Sequence, residues 1–232
     1  MPDNLPVRAI LRASFARCRH HPGITILSFW PVLTTTLVFM MAFHVRIWWA
    51  VATMAAIVTL ETYLWVAAWH RFIILDEYPT PCFSRREWRY FRTSFLIGAA
   101  ILMAMVGLSV LVKIIGDVFD QPLLALATAP AVGLATFWLL TPLILTLPAH
   151  AIGLAPGTAR TAAILQGQRW RFMALLSAVP AANLMLTGLC AILPPPFGTV
   201  ADIVAILSHP VEVGVLSLSY MWLRTGDIPA RP

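Results

Sequence analysis

Charge is what this chain has least of: 11% of its 232 residues are Asp, Glu, Lys or Arg, against about a quarter in an average soluble domain. That deficit excludes an ordinary water-facing surface. Cysteine is scarce as well, and the three thiols at Cys18, Cys82 and Cys190 stand far apart with no C-x-x-C pair. A disulfide framework and a metal knuckle are both excluded, and the three read as unpaired thiols. Enzyme signatures are missing. No H-E-x-x-H is present for a zinc protease helix, no G-x-S-x-G for a serine elbow (Gly107-Leu108-Ser109-Val110 lacks the second glycine), and no P-loop or G-x-G-x-x-G to cradle a phosphate. The links between apolar stretches are too short for a nucleotide fold, so the sequence predicts a protein that is not an enzyme and needs no cofactor.

What the chain does have is apolar length. It is 59% hydrophobic with a mean hydropathy of +0.81, and crossing a ~30 Å hydrocarbon layer takes about 20 helical residues. Six stretches meet that length: Ile24–Phe43, Ile47–Leu75, Ser94–Ile115, Pro122–Leu147, Phe172–Leu193 and Asp202–Leu223. They are continuously apolar and do not alternate, which argues for helices and against β-barrel strands. The fold class expected is therefore all-α, a single polytopic membrane domain over residues 1–232. Pro31, Pro130, Pro142, Pro180 and Pro210 fall inside the spans, where neighbours must re-satisfy the lost backbone bonds.

The net charge of +6 does not mark a nucleic-acid binder, because the basic residues lie between the apolar stretches and not on one soluble face. A membrane surface is the better-matched partner. Arg8, Arg12, Arg17 and Arg19 precede the first span; Arg71, Arg85, Arg86, Arg89 and Arg92 surround the second internal link; Arg160, Arg169 and Arg171 precede the fifth span, and Arg224 and Arg231 follow the sixth. Only Arg46 and Lys113 fall on the other side. The positive-inside rule then places both termini in the cytoplasm. Tryptophans agree as an aromatic belt, with Trp48 and Trp49 at the outer boundary and Trp69, Trp88, Trp170 and Trp222 at the inner one. The first span exceeds a signal-peptide core of about 7–15 residues and has no A-x-A site at Met41-Ala42-Phe43-His44, so it is expected to be kept.

The internal links carry their own pattern. Leu5–His21 sets Val7, Ile10, Leu11 and Phe15 against Arg8, Arg12 and Arg19, as in a basic amphipathic helix on the inner leaflet. Arg8, Arg12, Arg17, Arg19, Arg85, Arg86, Arg169 and Arg171 are the expected contacts to anionic head groups. Similar tetrads, Arg12-Ala13-Ser14-Phe15, Arg92-Thr93-Ser94-Phe95 and Arg169-Trp170-Arg171-Phe172, suggest three tandem units, each an interfacial basic helix plus a transmembrane hairpin. Positive-inside charge alone would also put arginines before every second span. The opening Arg8-Ala-Ile-Leu-Arg-Ala-Ser-Phe, the His-Pro-Gly before the first span and the closing Leu216-Ser-Leu-Ser-Tyr220-Met-Trp-Leu resemble bacterial six-helix inner-membrane families, the YciC-like proteins and the membrane domain attached to some glycerophosphodiester phosphodiesterases. The resemblance implies a bacterial inner-membrane location and carries over no catalytic residue, since the phosphodiesterase chemistry of the latter group sits in a separate soluble domain.

Ionisable groups within the spans are costly, about 2.5–3.5 kcal/mol each at mid-bilayer on insertion scales, and so are the first candidates for a site. Glu61 lies fourteen residues into the second span, about 21 Å deep, and Glu212 ten residues into the sixth, about 15 Å deep. His209 precedes Glu212 by one turn, and Asn183 on the fifth span could join them. Glu61, Asn183, His209 and Glu212 either bind a cation or relay a proton, or serve as polar packing between helices. A single His/Glu pair falls short of a di-iron bundle site. His20, His21, His44, His70 and His150 fall at span boundaries, and Trp69-His70-Arg71 reads as an interfacial anchor. Two function classes follow: a structural or accessory membrane protein that joins a larger complex or organises lipid, and a small permease or ion-handling protein. The rarity of polar residues in the spans favours the first.

Overall fold

Proline and apolar length together set the helix boundaries. In the computed structural model, which describes residues 4–45, 47–119, 122–191 and 197–228, all regular structure is α-helical. The helices are α1 (Val7–His20), α2 (Pro22–His44), α3 (Trp48–Leu75), α4 (Arg85–Phe119), α5 (Pro122–Ile144), α6 (Thr146–Ala151), α7 (Thr158–Ile164), α8 (Arg169–Ala191) and α9 (Phe197–Thr225). Pro22 and Pro122 open α2 and α5 at a first-turn position, where the missing N–H is no loss. Asp76 closes α3 in the left-handed conformation at φ 59°, its N–H returning to the Phe72 carbonyl.

Five helices among the described residues are long and apolar enough to cross a membrane: Trp48–Leu75, Arg85–Ile114, Val132–Ala151, Arg169–Cys190 and Ile203–Thr225. The described apolar part of α2, Pro22–Val38, is shorter. Arg46 and Arg231, two of the residues used for orientation, and Leu193, the expected end of the fifth span, lie outside the described residues.

Several boundaries differ from expectation, α9 beginning at Phe197 and not Asp202 among them, and two of the differences change the organisation. The third span was expected from Ser94, but α4 begins at Arg85, so the basic segment before the span is its first turns and not a separate interfacial helix. The sequence holds the reason: Ser84-Arg85-Arg86-Glu87 is a capping box. The Ser84 N–H donates to Glu87 Oε2 at 3.2 Å. The fourth stretch is divided at Leu145 into α5 and α6.

Sequence neighbours pack in pairs, α2 on α3, α4 on α5 and α8 on α9, and α9 also receives α1 and α3. α9 is accordingly the central helix, with 59% of its apolar window buried against 6% for α4. Burial is concentrated at the arginine-bearing end. There Ile10 of α1, Trp69 and Ile73 of α3, Leu145, Leu165, Phe172 and Leu175, and Val215 and Leu218 of α9 are nearly inaccessible. At the opposite end Trp48, Trp49, Leu184 and Met185 are exposed, a surface suited to lipid chains or another protein.

α1 is seated against the other helices. Its Ser14 hydroxyl donates to the Val211 carbonyl at 2.8 Å. The Leu5 N–H donates to Gln168 Oε1 at 3.0 Å just ahead of it. Close approach is possible because Gly214 faces Ser14: a Cβ at Gly214 would overlap the Ser14 hydroxyl and sit 3.4 Å from Ile73 Cδ1.

Candidate functional site

The arginine-bearing end holds a buried polar network built from α3, the link after it and the start of α4. Arg71 is 3% exposed and Glu87 1%, and their side chains form an ion pair. Arg71 Nη2 also donates to the Thr80 carbonyl at 2.7 Å, and its Nε lies 3.4 Å from Glu77. Glu87 takes further donors from Ser84 Oγ, Arg86 Nε at 3.2 Å and Cys82 Sγ at 3.3 Å. One carboxylate thus ties the link between residues 76 and 84 to two helices, as a buried charge requires. On the other side of α3, Arg17 is 6% exposed and lies 3.6 Å from Asp76, with its guanidinium over the Phe72 ring.

Some expected surface residues are therefore interior. Arg17 is interior: it is buried on α1 along with Ile10 and Ser14, and its guanidinium lies by Asp76 and Phe72. Trp69-His70-Arg71 is not an interfacial anchor: all three are buried, with Trp69 Nε1 donating to the Pro210 carbonyl at 2.9 Å. Trp222 is likewise buried, leaving Trp88 and Trp170 exposed. Of the remaining arginines, Arg8, Arg12, Arg19, Arg85 and Arg171 are exposed, Arg86 is engaged with Glu77 and Glu87, and Arg169 stacks on Trp138 at 4.0 Å.

Three of the four intramembrane candidates come together. His209 Nδ1 lies 3.3 Å from Glu212 Oε2, and Asn183 Nδ2 donates to Ser208 Oγ at 2.7 Å and, more distantly, to Glu212 Oε1 at 3.4 Å. Glu61 is not placed with them. α3 and α9 run parallel, in a register set by Trp69 on Pro210 and by Ile73 beside Gly214. Glu61 lies eight residues before Trp69 and Glu212 two after Pro210, an offset of about 15 Å along the axes at 1.5 Å per residue. Depth counted from separate span ends concealed that stagger.

The strongest feature that sequence reasoning missed is His70. It is completely buried, and its Nδ1 lies 2.7 Å from Ser217 Oγ on α9. No sequence signal pairs residues so far apart, and a histidine five residues before the end of an apolar run reads as a boundary residue. His70, Tyr90, Ser177 and Glu212 line a cavity of about 530 Å³ between α3, α4, α5, α8 and α9, whose other walls are mostly apolar. Among the described residues no group of three His, Cys, Asp or Glu side chains is placed to hold a metal. The three cysteines are free, and burial pushes the Cys18 thiol up to about 11.

No protein-family model, no curated protein and no solved structure matches this chain. The class that the architecture defines is an all-helical one with several membrane-length apolar helices.

Proposed function

We propose that this is a structural or accessory protein of the bacterial inner membrane, without a catalytic step of its own, that joins a larger membrane complex or organises lipid. In this reading six spans form three hairpins with both termini cytoplasmic, α2 supplying the first span. Kinship with the six-helix inner-membrane families is part of the same proposal. The observation that carries it is the contrast between the two ends. The arginine-bearing end is fixed by the Arg71–Glu87 pair and the seated α1, while the other end presents exposed apolar helix faces. Exposed Arg8, Arg12 and Arg19, beside the 56% exposed Phe15 on α1, suit anionic inner-leaflet lipid.

Extraction in a mild detergent, followed by sizing and identification of co-purifying proteins or lipids, tests the proposal. A stable assembly larger than the lone chain, or a retained anionic lipid, is the expected result. A lone, lipid-free chain counts against it. The permease reading draws on the His209–Glu212–Asn183 cluster beside the cavity, and Glu212→Gln in proteoliposomes separates the two. Loss of ion or proton movement supports the permease, whereas an accessory protein tolerates a change that keeps the hydrogen bond.

A further inference from the structure

Among the described residues four arginines are drawn in from the surface: Arg17, Arg71, Arg86 and Arg169. The first three each have a carboxylate partner, supplied by Asp76, Glu77 or Glu87. Arg169 has none. Its guanidinium lies over the Trp138 ring, 4.0 Å from the centroid, and has no hydrogen-bond or ion-pair partner among the described residues. The surrounding chain holds no acid to supply one, since no Asp or Glu occurs in residues 121–201, a stretch that carries Arg160, Arg169 and Arg171. A guanidinium stacks on aromatic faces and pairs its N–H donors with the oxygens of a phosphate. Stacked and unpaired, Arg169 is held ready for an oxyanion.

Arg169 and Trp138 line a hollow of about 510 Å³ between α5, α7 and α8 at the arginine-bearing end, a size within the range of ligand pockets, roughly 300–1,000 Å³. Leu165, Gln166 and Trp170 also line it, and no carboxylate does. Gln166 and Trp170 each carry an uncharged N–H donor. On α5 the exposed Leu134 lies one turn before Trp138, farther from the arginine-bearing end. An occupant therefore meets a positive charge at one end and apolar helix surface beyond it. Among phospholipids the missing carboxylate selects a net negative head, because the ammonium of a zwitterionic one gains no partner here. A free phosphate would leave the apolar surface unused.

We propose that the hollow between α5, α7 and α8 binds one anionic phospholipid, whose phosphate accepts from the Arg169 guanidinium while an acyl chain runs along α5 past Leu134. The inference rests on the lipid-organising side of the proposed function and deepens it. That reading puts lipid on the exposed arginines of α1, and this one adds a discrete site elsewhere on the molecule.

The test is native mass spectrometry of the full chain in a non-ionic detergent, titrated with dioleoyl phosphatidylglycerol or dioleoyl phosphatidylcholine. The first phosphatidylglycerol should bind about tenfold more tightly than phosphatidylcholine, and Arg169→Gln should remove that advantage, the effect of charge-assisted hydrogen bonds to one phosphate. Trp138→Leu keeps the net charge but takes away the platform under the guanidinium, so it should weaken the first lipid several-fold. Replacing Arg8, Arg12 and Arg19 together by glutamine should leave that first lipid in place, and glycerol 1-phosphate at equal concentration should not displace it. Equal binding of the two lipids, or a first lipid indifferent to both Arg169→Gln and Trp138→Leu, would overturn the proposal. Displacement by glycerol 1-phosphate would overturn it in favour of a free phosphate ester. Loss of the first lipid only in the α1 variant would overturn this site and leave the lipid-organising reading standing.

Discussion

At the scale of single residues, the charges that the described residues bury, Arg17, Arg71 and Glu87, are each paired. Arg71 and Glu87 are both almost fully buried, and removing one member of such a pair strands the other, which costs about 3–5 kcal/mol. Arg71→Met alone should lower the melting temperature in mild detergent sharply. Arg71→Met with Glu87→Leu should recover much of the loss, because a well-packed apolar pair can replace a buried ion pair. Additive losses would show that the two side chains do not interact. The cysteines offer a separate check. Cys82 is exposed, whereas burial lifts the Cys18 thiol from 9.0 to about 11, leaving about a hundredfold less thiolate at pH 8. Maleimide should modify Cys82 first and Cys18 far more slowly, with the Cys18 rate still rising above pH 10. Equal rates at pH 8 would contradict the burial of α1.

Among the helices, what the sequence revealed and what it hid divide along one line. Apolar length is a property of consecutive residues, so the bounds of α3 and the end of α9 were legible to within two positions, while α9 begins five residues before the expected Asp202. The early start of α4 was also written locally, in the capping box at Ser84 and Glu87, but a run of arginines masked it. His209 and Glu212 share a turn and could be paired by eye. The contacts of His70 with Ser217, Ser14 with Val211 and Trp69 with Pro210 depend on how α1 and α3 settle on α9, and no periodicity states that register. The same register separates Glu61 from Glu212. Small residues make it possible, so Gly214→Ala should loosen α1 by pressing a methyl group into Ser14. Limited proteolysis after Arg8, Arg12 or Arg19 should accelerate several-fold in that variant. Adding Ser14→Ala, which removes the hydroxyl that the methyl would meet, should restore part of the protection. Unchanged proteolysis would show that α1 does not depend on this contact.

Across the whole molecule, one end is polar, arginine-bearing and tightly packed, and the other is apolar and open. Such asymmetry matches the two chemistries of a membrane protein, whose helix interiors are held by packing and hydrogen bonds because lipid tails are as apolar as leucine. Basic residues are retained on the cytoplasmic side, so the packed end should face inward. Native Cys82 reports on this directly, since it is exposed in the link between α3 and α4 at that end. With Cys18 and Cys190 replaced by serine, Cys82 should resist an impermeant maleimide in intact cells and react fully once the membrane is permeabilised. Labelling of Cys82 in intact cells, with a cytosolic control protein left unmodified, would contradict the inward orientation of the packed end.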